Sequence, residues 1–398
     1  MTYEKIKGVV SLASNSPGAP TGYGVQAEFL VRYMKRHGMN IGVLSNYGLE
    51  GSIGEHRTDH GSVPVYPRGV APYSQDVLTV WHEHHRKAAP DLKHAIMTLY
   101  DVWVYNGWKD DIPVISWVPL DHVTLPPQVG MFLKRDNVTP VAMAPHGKRQ
   151  LAGAGIDSVY IPHSVNTKVF QKAPKFPGPN GMMPTREVLG VKDDTFLVMM
   201  VAANKANSIL HRKAFDINFM SFSAHLQAHP DSHLYVHADP APNVGGFDLA
   251  LLARVCGIPA DKITFANRER YRIGYSQEEL AALYSAADVL LAPSYGEGFG
   301  VPTIEAQACG TRVIGSSWAA TTDLVAEDGW LVEGQPHWDS PQSAFYQVPL
   351  LASVVSALAL ADKERGFSAV SRKFALDFDE EKVWADYWMP FLKDYFGG

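Results

Sequence analysis

Residues 293–316 read PSYGEGFGVPTIEAQACGTRVIGS, and their division into elements decides the fold. The apolar run 289–292 just before them predicts a buried strand that ends at Pro293. A loop then presents Glu297, Gly298, Phe299 and Gly300. Pro302 suits the first turn of a helix, where its missing N–H costs nothing, and the pattern predicts a helix over 301–309. A second short apolar run follows at 312–315. Strand, loop, helix and strand in this order form one βαβ unit of a parallel sheet. Free N–H groups at the helix start favour an anionic or hydroxyl-rich ligand. Gly298 and Gly300 are expected to let a ligand approach the backbone. Glu305 lies one turn into the helix, where its carboxylate can accept two hydrogen bonds from a vicinal diol.

The same alternation runs outward in both directions. Upstream, strands are predicted at 196–203, 233–238 and 262–265, with helices at 213–228, 248–256 and 277–287. Nearer the N-terminus, a strand at 9–13 leads through the turn-rich loop SNSPGAPTGYG (14–24) into a helix. Val25, Phe29, Leu30, Tyr33 and Met34 mark that helix and Gly38 ends it. Strands at 41–45, 95–100, 114–118, 141–144 and 159–162 and a helix at 76–87 complete this block. Pro and Gly cluster in QKAPKFPGPNGMMP (171–184), read as a linker. The expected organisation is two doubly wound, Rossmann-like α/β domains, 1–170 and 171–379, with a cleft at the carboxyl ends of their strands.

Composition narrows the function classes. The chain has 398 residues, 46% hydrophobic and 19% charged, which is enough to build two cores. Lys plus Arg number 35 and Asp plus Glu 41, a net charge of −6, so there is no general electrostatic footprint for nucleic acid. The cysteines, Cys256 and Cys309, form neither a disulfide framework nor a zinc motif, and a reducing, cytoplasmic setting is expected. The apolar run 196–203 is far short of the ~20 residues that span a bilayer. Residues 81–86, WHEHHR, fail the HExxH spacing because position 86 is Arg, so a solvated amphipathic helix face is expected there.

Glu297 and Glu305, with seven residues between them in the setting EGFGVPTIEAQACGTRVI, resemble the E-x7-E motif of retaining GT-B glycosyltransferases. The chain is similar to the large fourth family of these enzymes, of the bacterial and phage glycosyl- and mannosyltransferase type. YIPHSVNTKVF (160–170) looks like that family's interdomain segment, ELAALYSAADVLLAPS (279–294) like its approach to the motif, and LVAEDGWLVEG (324–334) like its continuation. EEKVWADYWMPFLKDYF (380–396) resembles the final helix that returns to the N-terminal domain, so 380–398 is assigned there.

The resemblance implies transfer of a hexosyl group from a UDP- or GDP-sugar to an acceptor hydroxyl, with retained configuration. Glu305 is implied at the donor ribose, and Glu297 with the Gly298-Phe299-Gly300 backbone at the donor sugar. The diphosphate needs cations. Lys213 fits the family lysine, but the usual strand-end arginine is replaced by Asn204, leaving Arg212 or Lys205 to supply its charge. Gly22, Tyr23 and Gly24 match the glycine-rich N-domain loop near the donor phosphates. Asp121 and His122 stand where the family carries residues that touch the transferred sugar or the acceptor, with His146 and His163 as further cleft candidates. Arg268, Arg270 and Tyr271 are expected to face the base. No metal or other cofactor is expected, because Lys213 and Arg212 can neutralise the leaving group. The acceptor stays open among a saccharide, a small molecule, a protein or a modified nucleic acid. The alternatives are a non-catalytic sugar-nucleotide-binding protein and a GT-B sugar-nucleotide epimerase.

Overall fold

Apolar strands alternating with helices build two parallel sheets. The computed structural model describes residues 3–48, 51–105, 111–173, 175–178, 181–205, 211–242 and 246–397. The first sheet contains β1 (Val9–Ser14), β2 (Asn40–Ser45), β3 (Gly54–Thr58), β4 (Gly61–Tyr66), β5 (His94–Leu99), β6 (Val114–Val118), β7 (Val138–Ala142) and β8 (Val159–Tyr160). Among the described residues its order is β3-β4-β2-β1-β5-β6-β7-β8, parallel throughout except for the β3–β4 hairpin at one edge. β1 and β6 are buried along their whole length, as strands covered on both faces must be.

After a small hairpin, β9 (Lys175–Gly178) and β10 (Gly181–Pro184), the second sheet takes β11 (Phe196–Val201), β12 (Ser232–His237), β13 (Ile263–Phe265), β14 (Val289–Leu291), β15 (Arg312–Ser316) and β16 (Trp330–Val332). Its order among the described residues is β13-β12-β11-β14-β15-β16, all parallel. The strand order reverses between β1 and β5 in the first sheet and between β11 and β14 in the second. Each reversal opens a crevice at the carboxyl ends of the strands. An antiparallel hairpin, β17 (Gly334–Asp339) with β18 (Ala344–Pro349), follows the second sheet.

Two expectations change, and two hairpins are added. Residues 171–184 are a packed part of the second domain rather than a linker, apart from 174, 179 and 180, which lie outside the described residues. The Pro/Gly cluster shapes the β9–β10 hairpin, and the Ala173 N–H donates to Ser285 Oγ at 2.9 Å. The helix Leu78–Arg86 does not present His82 and His85 to solvent; both are buried, His82 between Ser11 Oγ (2.8 Å) and His94 (2.9 Å), His85 against Tyr66. The hairpins β3–β4 and β17–β18 had no periodic signal strong enough to announce them.

The C-terminal segment crosses back. It runs as helix Glu380–Val383, a π-helical turn Trp384–Trp388 and helix Met389–Gly397. Trp384 packs on Tyr33 and His37, and its indole N–H donates to His37 Nε2 at 2.9 Å. Trp388 meets Trp117 edge-on at 4.9 Å and has no exposed surface. Arg32 pairs with Glu380 at 2.7 Å. Truncating a buried aromatic costs about 3–5 kcal/mol. Trp388→Ala should therefore lower the stability of the whole chain by about that amount. Urea melts followed by circular dichroism check this, and a midpoint within error of the parent refutes the anchoring role.

Candidate active site

The two crevices face each other, and their loops meet through charged groups. In the second domain, the loop after β11 carries Arg212 and Lys213 just ahead of the helix Phe215–Ala228. Ala214 takes a left-handed φ of 49° and turns the chain into that helix, so Lys213 sits outside it rather than at its first position as expected. The loop after β14 supplies Glu297. Lys213 Nζ donates to Glu297 Oε1 at 2.5 Å, and Arg212 Nη1 donates to Glu297 Oε2 at 3.0 Å and to the Gly296 carbonyl.

From the first domain, Asp121 follows β6 and places Oδ2 3.6 Å from Arg212 Nε. Asp101 follows β5 and accepts a hydrogen bond from the Tyr23 hydroxyl at 3.4 Å. Lys213 and Arg212 keep 25% and 35% of their side-chain surface, so the cluster is open to the cleft.

The electrostatics follow from this crowding. Burial raises the pKa of Glu297, but the charges of Lys213 and Arg212 outweigh it and hold it below the ordinary value. Burial and the neighbouring Arg212 lower Lys213, with Glu297 opposing. Burial and the Asp121 charge push Asp101 up to about 6. Burial works against ionising Asp121, yet its hydrogen bond to His122 and the positive charges beside it hold it well below the carboxylate range. Asp121 is thus a fixed charge at neutral pH.

Each expected residue now has a place. His122 is buried, with Nδ1 2.8 Å from Asp121 Oδ1 and Nε2 3.1 Å from Asp339 Oδ2. Carboxylates only accept, so both ring nitrogens donate and the ring is an imidazolium. Burial lowers its pKa, and the two carboxylates more than reverse that. Tyr346 stacks on it at 3.8 Å. His122 is therefore a charged bridge between the domains with no nitrogen left for a sugar. His146 Nε2 meets the His122 carbonyl at 2.9 Å, and His163 lies in the core between Trp117 and Phe299.

The Asn204 side chain is turned toward the protein. Its amide donates to the carbonyls of Asp239, Ala241 and Phe247 and accepts from the Phe247 N–H, which commits it to holding that loop. Lys205 is exposed, with Nζ 5.7 Å from the centre of the Tyr47 ring. Arg268 and Arg272 both pair with Asp239, at 3.4 and 2.6 Å, and Arg270 pairs with Glu279.

A Cβ on Gly298 would lie 2.4 Å from Pro119 Cβ, and one on Gly296 2.1 Å from the Asp121 carbonyl. These glycines let the two domains touch. Gly300, at φ 92°, starts the helix Val301–Ala308, and Phe299 is a core residue. Gly22 has open space around it, whereas Gly24 presses on the Ala19 carbonyl and donates its N–H to the Thr21 cap. The Asp-x-Asp spacing at 377–379 is structural: Asp379 caps the helix Glu380–Val383 and Asp377 pairs with Lys382.

Glu305, in the helix Val301–Ala308, is buried and accepts from the Tyr284 hydroxyl at 2.9 Å. Sequence reasoning missed Tyr284, Asp101, Asp339 and Tyr346. Asp101 was within reach, because it directly follows a predicted strand at its carboxyl end. The others depend on tertiary packing.

Two sheets with facing crevices and a glutamate-bearing strand–loop–helix make this a GT-B protein. A family model described as glycosyl transferases group 1 matches residues 210–342. A D-inositol 3-phosphate glycosyltransferase of Streptomyces scabiei is 32% identical over 297 residues, covering 67% of this chain and 62% of that protein. The chain spans less than two thirds of the length of the curated relatives it matches. Sucrose-phosphate synthase from Thermosynechococcus elongatus superposes with a TM-score of 0.69 at 18% identity, covering 99% of this chain and 100% of that one. Anabaena HepE, solved in complex with UDP and glucose, gives 0.62 at 14%, covering 98% and 100%. The chain therefore has the GT-B fold, and residues 210–342 are similar to the glycosyl transferases group 1 family.

Burial pushes the Glu305 carboxyl up to about 7, with the Tyr284 hydrogen bond opposing. The unfolded chain loses this proton near the ordinary glutamate value of 4.5. Between those values the folded state binds more protons, so stability falls as pH rises from about 4.5 to about 7 and then levels off. The penalty is on the order of 3 kcal/mol. Glu305→Gln keeps an acceptor for Tyr284 but cannot ionise. Its melting temperature should exceed the parent's at pH 8, and the gap should close below pH 4.5. An equal gap at both ends of a pH series of thermal melts argues against a desolvated carboxyl.

Proposed function

We propose that this chain transfers a hexosyl group from a nucleotide-diphosphate sugar to an acceptor hydroxyl with retention of configuration. The observation that carries this reading is Glu297 held between Arg212 and Lys213 at the facing carboxyl ends of the two sheets. Two cations share one carboxylate there, and a diphosphate supplies the anionic oxygens they otherwise lack. The group 1 match covers this site, and the relatives' names support a glycosyl transfer. A UDP-sugar is the first donor to test, given the UDP and glucose in HepE. A phosphorylated sugar or polyol is the first acceptor, given the inositol phosphate and sucrose-phosphate relatives.

In this mechanism the bond from the anomeric carbon to the diphosphate breaks, and its electron pair leaves with the phosphate oxygen. Lys213 and Arg212 stabilise that charge. Glu297 exchanges part of its hold on them for the donor sugar, whose ring gains positive character. The acceptor oxygen bonds the same face of the carbon, and its proton passes to the departing phosphate oxygen. Asp121 keeps Arg212 oriented, and Glu305 takes the ribose hydroxyls in its ionised form. The reaction proceeds without a divalent metal, in the cytoplasm.

Free nucleotide diphosphate released from a donor–acceptor panel tests the reading. Release that depends on acceptor supports transfer, and binding of donor without release points to a non-catalytic protein. Lys213→Ala should lower kcat by about 10²–10³-fold with a smaller change in KM. Glu297→Gln should also lower kcat, whereas Glu305→Ala should raise donor KM by about ten- to a hundred-fold. Unchanged kinetics in Glu297→Gln and Glu305→Ala together sink the assignment. Activity should survive EDTA; complete loss restored by manganese shows that a metal does the neutralising.

A further inference from the structure

We propose that His225, His229 and Asp362 form a binding site for a divalent transition-metal ion that staples two helices of the second domain. One ligand atom from each of the three residues lies within 4.8 Å of the other two. His225 stands in the last turn of the helix Phe215–Ala228 and His229 is its C-cap, so the pair has the i, i+4 spacing that puts both rings on one face. The rings stack at 4.3 Å with 5° between their planes. Asp362 is the C-cap of the helix Leu351–Ala361 and brings Oδ2 within 2.6 Å of His229 Nδ1.

Two details separate this cluster from a plain ion pair. His225 is 1% exposed, its Nε2 lies 3.3 Å from Ser232 Oγ, and its Nδ1 has no hydrogen-bond partner. A buried ring nitrogen left unsatisfied is expensive, and a metal ion removes that cost. On the far side, Arg365 donates to Asp362 Oδ1, through Nε at 2.9 Å, which fixes the carboxylate and leaves Oδ2 to face the histidines. Outer partners of this kind orient metal ligands.

Two imidazoles and one carboxylate suit zinc, cobalt or nickel, and not magnesium or calcium, which take oxygen shells. Zinc bonds of about 2.0–2.1 Å need the three ligand atoms drawn somewhat closer, with solvent in the remaining position. His225 is ten residues along the helix from Phe215, about 15 Å at 1.5 Å per residue, which separates the metal from Arg212 and Lys213. The inferred role is structural: a clip between two helix ends packed on the same sheet.

The test uses the full chain freed of metal with EDTA and then dialysed. Cobalt(II) should add a visible ligand-field absorption at one equivalent, and zinc should raise Tm by several degrees at a hundredfold excess over Kd, while magnesium does neither. His229→Ala and Asp362→Asn should each abolish the cobalt band and the zinc shift. If His229→Ala does not fold, judged by far-UV circular dichroism, Asp362→Asn decides alone. Absence of the band in the parent, or its persistence in a folded variant, overturns the site.

Discussion

Glu297 holds two cations where the fold strips much of their water, and the rest of the site depends on that. Arg212 and Lys213 are adjacent in sequence and repel one another, and burial adds to the cost. Glu297 answers both, with one carboxylate oxygen for each cation. Asp121 supplies the second negative charge from the other domain. The balance closes only if the loop at 295–298 lies flat against residues 119–121, which is why glycines stand at 296 and 298. A side chain at either position separates the domains and leaves Arg212 without Asp121.

Domain contact then continues beyond the cluster. Val123 exchanges backbone hydrogen bonds with Phe345 at 2.9 and 3.0 Å, so the β17–β18 hairpin pairs with the other domain. Asp339 and Tyr346 on this hairpin enclose His122. Asp323 accepts from the His146 N–H and from Arg149. The imidazolium of His122 is what lets Asp121 and Asp339 approach each other at all, because two buried carboxylates would otherwise repel. A histidine placed by its position in the sequence among groups that touch a sugar thus acts on the geometry of Asp121, and through Asp121 on Arg212.

The parallel sheets were legible because buried strands are short continuous apolar runs and their helices have period 3.6. β1, β6 and β14 begin where the pattern starts them, and Gly38 closes its helix in a left-handed conformation. Glu297, Glu305, Arg212 and Lys213 were legible as a motif with spacing. Three hairpins were not, since pairing of exposed edge strands leaves little trace in hydrophobic period. Nor could the sequence tell a ligand-facing glycine from a glycine pressed on Pro119, because both need only the absence of Cβ. The histidines were the hardest: His82, His85, His122 and His163 are all buried, each for a different partner.

Asn204 shows how the cluster could arise without a strand-end arginine. Its side chain donates to the carbonyls of Asp239, Ala241 and Phe247 and accepts from the Phe247 N–H and from His211. A guanidinium has donors only, so arginine there could not accept from the Phe247 N–H or from His211. The position therefore serves the loop that carries Asp239, on which Arg268 and Arg272 are anchored. Phosphate chemistry in the proposed reaction then falls to Arg212, further along the same connection. That arginine is oriented by a carboxylate from each domain, Glu297 and Asp121, so its geometry holds only while the domains touch. A strand-end arginine needs one domain to be in place; this arrangement makes the leaving-group charge depend on both.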